Sequence, residues 1–498
     1  MLNIKNNAAQ LKQEILVQVA QLQLEGNLID GVHFIPRKMV PRDSTPTRCC
    51  IFHDREIMRM RVMARLGCSV ENYDEERTLA DVAREALARE KPTWPILTVL
   101  DLACNACVRS HYMVTNACQA CLARPCATNC PKQCIQINGR AHIDAEVCVN
   151  CGLCLQNCPY HAIIKVPIPC EESCPVGAIS KNEVGKETID YHKCIFCGNC
   201  MRECPFGAMM DKSQLVDVIK HIMNGKKVVA LYAPSIASQF SVSHTQFENA
   251  LKQLGFYHVW EVAVGADIAA TNEAKEFEER MEKGDVLMTT SCCPAYVRAV
   301  KKHVPDLIPC ISHTHTPMHY TGELAKKTYP DCVAVFIGPC LAKRREGLDD
   351  EFVDYVLSIE EINAFFIAKN ISVTNQNETQ DDANAENASS ENRATKSGRG
   401  FAMSGGVAES IRVRLKNPEK LRAATINGLS KTGMTQLAQY GKIQKGILPH
   451  NDATPNLVEV MSCEGGCIAG PCVIENPKRA SVQLKKYADA GANNPNEC

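Results

Sequence analysis

The chain has 498 residues, which at about 150 residues per domain gives roughly three domains and room for a sizeable core. Lys plus Arg number 55 and Asp plus Glu 56, a formal net charge of -1, which argues against a general nucleic-acid binder with its basic excess. Cysteine is the informative residue: 29 in so long a chain exclude the small disulfide scaffold and point to metal ligation. The start, MLNIKNNAAQLKQEIL, lacks the charged, apolar, small-residue layout of a signal peptide, and no run of about 18 apolar residues offers a membrane span. A cytoplasmic address is therefore expected, where thiols stay reduced.

In chain order, residues 1–97 read as helical, because LKQEILVQVAQL and LADVAREALARE repeat apolar residues at spacings of three and four. Pro92 and Pro95 mark a boundary. Residues 98–212 are short segments punctuated by Cys, Pro and Gly, and they repeat internally. Over 227–475, the apolar runs VVALYA, DVLMTT, VAVFIG and NLVEVM alternate with helical patterns, the mark of an α/β domain. Within it, the polar stretch 373–398 reads as a disordered insertion, and 476–498 reads as a C-terminal tail. The predicted fold class is multidomain α+β.

Seventeen cysteines crowd between Cys104 and Cys204. Cys148-x2-Cys151-x2-Cys154-x3-Cys158-Pro159 fits the bacterial ferredoxin run, and so does Cys194-x2-Cys197-x2-Cys200-x3-Cys204-Pro205. In that run three thiolates hold one 4Fe-4S cube and the fourth reaches a second. Cys118-x2-Cys121-x4-Cys126-x3-Cys130-Pro131 is the same run with two extra residues. This pairs Cys118, Cys121 and Cys126 with Cys158, and Cys148, Cys151 and Cys154 with Cys130. Cys170-x3-Cys174-Pro175 supplies a Cys-Pro end, so Cys174 is expected to complete the cube on Cys194, Cys197 and Cys200. Cys204 and Cys170 with Cys104-x2-Cys107 would make a fourth cube; otherwise there are three, with Cys104 and Cys107 idle or on zinc. Several cubes in series imply a wire for single electrons.

Further on, cysteines follow strand-like runs: Thr290-Ser291-Cys292-Cys293-Pro294, Gly338-Pro339-Cys340-Leu341-Ala342-Lys343 and Met461-Ser462-Cys463-Glu464-Gly465-Gly466-Cys467. In an open α/β sheet the strand carboxyl ends converge on one crevice, so these cysteines can surround one large cofactor. Glycines beside Cys467 let backbone approach it closely.

The segments TSCCPAY, GPCLAKRRE and EVMSCEGGC, together with APS at 233–235 and SGGVAESIR at 404–412, resemble the signatures of the iron-only (FeFe) hydrogenase catalytic domain. The resemblance spans about residues 227–475, with ferredoxin-like 4Fe-4S modules before it. It implies reversible H2 oxidation and proton reduction at an H-cluster: a 4Fe-4S cube joined to a two-iron unit carrying CO, cyanide and azadithiolate. The cofactor would sit at the strand C-termini of the catalytic domain, beside three to four accessory 4Fe-4S clusters. Carried over by motif, Cys293, Cys340, Cys463 and Cys467 hold the cube, with Cys467 bridging. Cys292 relays protons, and Lys343 and Ser235 each hold a cyanide. Met461 and Phe401 pack around the two-iron unit. Glu273, Glu276, Arg280 and Ser312 match the family's proton relay, the first three sharing one helical face. H2 and protons, a ferredoxin or similar electron carrier, and cofactor maturation enzymes are the implied partners.

Several positions depart from the best-known members and look like the group B branch. Gly338 stands where methionine is usual, implying looser packing; Tyr296 replaces a tryptophan, and Met318 a frequent glutamine. Two other readings remain: a hydrogen sensor, for which no signalling segment is visible, and a non-catalytic iron–sulfur assembly protein. The resemblance implies that assembly relatives lack the counterparts of Cys292 and Lys343. Cys49, Cys50, Cys68, Cys134, Cys310, Cys332, Cys472 and Cys498 are expected to be small apolar or surface thiols. His33, His53, His303, His313 and His315 are not expected to be ligands.

Overall fold

The computed structural model describes residues 6–71, 74, 76–107, 111–240, 242–375, 394–451 and 453–491. The helical periodicities near the start fold as helices. Asn7–Leu24 turns Ile15, Leu16, Val19 and Ala20 inward, and Leu79–Ala88 buries Leu79, Val82, Ala83 and Ala86 behind a Thr78–Asp81 capping box. These helices share a core with Leu100, Ala103, Cys104, Ala208 and Met210, so they roof one end of the cysteine-rich region. Leu16 and Ala20 belong to a second core with Val228, Ala230, Tyr232, Val335 and Ile337.

The described residues between 97 and 211 form short strands: β1 (Leu97–Val99), β2 (His111–Val114), β3 (Ile135–Asn138), β4 (Arg140–Ile143), β5 (Ile163–Val166), β6 (Ile179–Lys181), β7 (Glu187–Ile189) and β8 (Met209–Asp211). They pair antiparallel, β1 with β8, β2 with β5, β3 with β4 and β6 with β7. The pairs are too small to bury a core alone, and the cysteines fill their interior.

Seven strands follow: β9 (Val228–Tyr232), β10 (His258–Glu261), β11 (Met288–Thr289), β12 (Val333–Gly338), β13 (Tyr355–Ser358), β14 (Ala423–Asn427) and β15 (Leu457–Met461). They build two parallel sheets, of order β10-β9-β12-β13 and β11-β15-β14, rather than one open sheet. β9, β12, β13 and β15 are buried along their whole length, as continuous apolar runs covered on both faces must be.

Two boundaries differ from the sequence expectation. Pro477–Asp489 is a helix and not a tail; Ala480 and Leu484 on one face of it are fully buried. The polar insertion stops before residue 394: Thr395 donates its N–H and Oγ1 to the Asp267 carboxylate at 2.8 and 2.5 Å, anchoring the helix Lys396–Gly400. Residues 376–393 of that insertion lie outside the described residues, as does Cys498.

A buried ion network ties these parts together. Asp211, on β8, takes Arg65 at 2.7 Å and Arg344 at 2.6 Å, and Arg344 also pairs with Glu361. Burial pushes the Asp211 carboxyl up, but the two guanidiniums outweigh it and hold it below the usual range. Arg344 lies four residues past Cys340, so the network clamps the cysteine region against the sheet that presents Cys340.

Candidate active site and cluster sites

The strand ends place the carboxy-terminal motifs around one cavity. Ser235 follows β9, Cys292 and Cys293 follow β11, Cys340 follows β12, and Cys463 and Cys467 follow β15. Two sheets therefore contribute to a mainly apolar space of about 870 Å³. Cys292, Cys293, Cys340, Cys463 and Cys467 line it together with Ser235, Lys343, Phe401 and Met461. Each thiol keeps some accessible surface because it faces this space, while its surroundings are protein. Burial raises the thiol of Cys340 to about 11 and that of Cys467 to about 12; in both, neighbouring cysteines add to the rise. Four crowded thiols in a dry pocket become thiolates together only with cationic metal between them.

Two further observations fit a large anionic group in this space. Ser235 Oγ and Lys343 Nζ are buried and have no hydrogen-bond partner among the described residues. Lys343 Nζ forms an ion pair with Glu346 Oε2 at 2.9 Å that does not meet hydrogen-bond geometry. Gly466, at φ +90°, runs against residue 402, where a Cβ would stand 2.6 Å from Ala402 O, and this close approach lets Cys467 N–H bond Ala402 O at 2.8 Å.

Packing at Gly338 is not looser, as the missing side chain suggested. The Phe336 ring lines the cavity and fills that space: a Cβ on Gly338 would be 2.6 Å from Phe336 Cε1. Met318 also lines the cavity, and Tyr296 is buried with its hydroxyl donating to Thr289 Oγ1 at 2.6 Å.

Leading away from Cys292 is a line of buried polar groups on the helix Val262–Glu282 and the segment after it. Glu273 is 1% exposed; its Oε1 accepts from Ser291 N at 3.1 Å and Ser291 Oγ at 3.3 Å, and its Oε2 has no partner among the described residues. Burial, with Glu276 adding, raises its carboxyl to about 7. Cys292 lies within the field of Glu273, and burial first, then that carboxylate, pushes its thiol well up. Ser312 Oγ donates to Glu276 Oε2 at 2.7 Å, and Arg280 Nε donates to Glu276 Oε1 at 2.9 Å. Burial opposes ionisation of Glu276, but Ser312, the His313 N–H and Arg280 outweigh it and lower its carboxyl. The sequence reading missed Ser291, Thr314 and Glu459. Glu459 was legible as a lone acid within an apolar strand; its carboxylate accepts from Gly405 N and Ala408 N at 2.7 and 2.8 Å and so fixes the SGGVAESIR loop.

The cysteine-rich region repeats one backbone device. In the first C-x2-C turn of each run the residue before the second cysteine is left-handed: Ala106, Ala120, Asn150 and Phe196, with φ of 47, 49, 55 and 59°. Cys104-x2-Cys107 thus has the same turn as the ferredoxin runs. The Cys-Pro ends also match one another, because Ala162, Ala178 and Ala208 donate their N–H to Cys158, Cys174 and Cys204 Sγ at 3.4, 3.2 and 3.4 Å.

The sulfurs gather in groups. Cys126 feels Cys158 and Cys121; Cys118 shares an apolar cluster with Cys126 and Cys158. Cys130 shares a small cavity with Cys148, Cys151 and Cys154. Cys174 shares another with Cys194, Cys197 and Cys200. Cys107 feels Cys104 and Cys204, and Cys170 feels Cys204 and Cys107. Cys197 also lines the large cavity and acts on Cys463, while Cys170 acts on Cys200, so the last two groups follow one another outward from the cavity. Cys134 is no isolated thiol: it is buried with Sγ 3.4 Å from Cys130 Sγ. Among the described residues no three His, Cys, Asp or Glu side chains close on the position of a single ion.

Thiol groups of this kind, in ferredoxin-type turns and leading to a shared cavity, define an iron–sulfur protein. Residues 226–471 match the family described as iron only hydrogenase large subunit, C-terminal domain, and residues 141–164 and 187–210 match the 4Fe-4S binding domain. The chain is an iron-only hydrogenase-like protein with a multidomain α+β fold. It is similar to iron hydrogenase 1 of Clostridium pasteurianum, 27% identical over 336 residues that cover 56% of each chain. A periplasmic Fe hydrogenase large subunit of Nitratidesulfovibrio vulgaris is 27% identical over 57% of this chain and 80% of its own. The cytosolic Fe-S cluster assembly factor NAR1 of Yarrowia lipolytica is 26% identical over 33% of this chain and 40% of its own. The chain thus spans little more than half of the first relative's length. No helix among the described residues is long and apolar enough to cross a membrane.

Proposed function

We propose that the chain is a hydrogenase that interconverts H2 with protons and electrons. Cys293, Cys340, Cys463 and Cys467 would hold the H-cluster, Ser235 and Lys343 would hold its anionic diatomic ligands, and the accessory cysteines would hold four 4Fe-4S clusters. Bound there, the cofactor supplies the cleavage and formation of the H–H bond.

The chain's own work is to shield the site and to move protons and electrons. Phe336, Met318, Phe401 and Met461 keep the cavity apolar. The Lys343 ammonium offers a charge-assisted hydrogen bond to an anion, and Ser235 Oγ offers a neutral one. Cys292 passes a proton to Glu273, whose carboxyl near neutrality can both take and release it. Ser312 rotates its hydroxyl between Glu273 and Glu276. A 4Fe-4S cluster held by Cys174, Cys194, Cys197 and Cys200 would supply the electron path between the cavity and a ferredoxin-type carrier.

The single observation that carries this reading is the line of polar side chains Cys292, Glu273, Ser312 and Glu276, which begins at the cysteine-lined cavity. A role confined to iron–sulfur assembly, which the similarity to the assembly factor favours, has no use for such a line. Infrared spectroscopy of the chain after maturation by the cofactor-assembly enzymes tests it: metal-bound CO and cyanide bands are expected, and Cys292→Ala should retain them while turnover collapses. A matured sample without those bands refutes the hydrogenase reading.

A further inference from the structure

The relay as the family pattern draws it stops at Glu276 and Arg280, short of water. The side chain of Glu276 is 16% exposed and its two oxygens are occupied. Oε2 accepts from Ser312 Oγ, from His313 N at 3.0 Å and from Thr314 Oγ1 at 3.4 Å, while Oε1 accepts from Arg280 Nε and from His313 N at 3.1 Å. Over this carboxylate lies the ring of His313, 84% exposed, with Nδ1 at 3.3 Å from Glu276 Oε1. Its other nitrogen, Nε2, is 3.4 Å from Arg280 Nη2.

The pair of contacts selects a tautomer. Arg280 has only donors, so Nε2 facing it carries the lone pair, and the proton sits on Nδ1, the nitrogen 3.3 Å from Glu276 Oε1. The charged groups facing the ring are these two side chains of the helix Val262–Glu282. Of the groups in contact with Glu276 among the described residues, Ser312 and Thr314 hydroxyls and the Arg280 guanidinium do not exchange protons near neutral pH. An imidazole can take a proton at one ring nitrogen while giving one up at the other, and this one stands in water.

We infer that His313 is the proton-transfer residue that connects the Glu276 end of the relay to solvent. Inward transfer breaks an O–H bond of a hydronium ion, which departs as water, and forms an N–H bond at Nε2; the N–H bond at Nδ1 breaks as an O–H bond forms at Glu276 Oε1. Arg280 releases Nε2 during this step and keeps its bonds to Pro309 O and Ile311 O at 2.8 and 2.9 Å. Exchange with water, which removes the proton from Nε2 and returns one to Nδ1 of the exposed ring, restores the starting tautomer, and the sequence reverses for outward transfer. The ionised state of Glu276 suits it to a brief stop, since it returns the proton readily.

This inference rests on the hydrogenase reading for its purpose, and its test separates the two. In the matured full chain, His313→Ala is expected to lower proton-reduction turnover about tenfold, and added millimolar imidazole to restore it without changing the wild type. Unchanged turnover, or a loss that imidazole does not repair, overturns the role of His313. A wild type that makes no hydrogen instead overturns the hydrogenase reading. A second measurement then decides on His313 alone: after rapid mixing into D2O near pH 7, the infrared carboxyl stretch of Glu273 reports deuteron arrival. His313→Ala is expected to slow that arrival about tenfold, again with repair by imidazole; an unaltered rate overturns the inference.

Discussion

Glu273 is the residue whose protonation the structure makes most measurable. Its carboxyl moves from 4.5 to about 7, chiefly because it is buried, with Glu276 adding to the rise. At 1.36 kcal/mol per unit, keeping it ionised costs about 3 kcal/mol relative to the unfolded chain. Below about pH 4.5 both states hold the proton, and the native state carries no such cost. As pH rises toward 7 the unfolded chain ionises first, so stability falls across that window and levels off above it. Glu273→Gln keeps the shape and removes the ionisable group. Its stability relative to wild type is therefore expected to improve by about 3 kcal/mol between pH 4.5 and pH 7.5, followed by denaturant midpoints on a pH series. Infrared titration gives the site directly: a protonated-carboxyl band that fades with a midpoint near 7 in wild type and is missing from Glu273→Gln. The same substitution blocks the relay and is expected to lower turnover by about 10² to 10⁴. A carboxyl midpoint below 5, or a wild-type-to-variant stability difference that ignores pH, refutes the reasoning.

Other perturbations have definite expected outcomes. Arg344→Met strips Asp211 and Glu361 of a shared buried cation and is expected to cost about 3–5 kcal/mol in denaturant unfolding. Gly338→Ala drives a methyl group into the Phe336 ring and is expected to cost about 1–3 kcal/mol, largely recovered when Phe336→Leu is added. Cys107→Ala is expected to remove the cluster shared with Cys104, Cys170 and Cys204, read as a loss of four irons per chain with the other clusters' electron paramagnetic resonance signals retained. An unchanged iron count would leave three accessory clusters.

What the sequence made legible follows from how local the physics is. A ferredoxin run is read from spacing because one tight turn sets where its three sulfurs point, and the repeated left-handed residue at Asn150 and Phe196 is that turn. The grouping of Cys104 with Cys170 and Cys204 spans a hundred residues. It stayed open in the sequence because no local rule fixes it; it depends on the β1–β8 pairing that closes the region. The catalytic-type cavity was legible as strand ends, but the division into two sheets was not. Short apolar strands look alike whichever neighbour they join, and β11, only Met288–Thr289, carries no register signal of its own.

Compensation was the least legible feature. Gly338 alone reads as a missing side chain. Only the pleat, which sets residues 336 and 338 on one face of β12, shows that Phe336 takes the vacated space. The same holds at the relay's outer end. The i, i+3, i+7 spacing aligns Glu273, Glu276 and Arg280, yet His313 reaches Glu276 from another segment, held by its own backbone N–H on the carboxylate. A relay must pass from a buried helix face to water, so its last member has to come from whichever loop crosses that face. Helical periodicity can locate the buried members; only the tertiary path of residues 311–316 supplies the one in solvent.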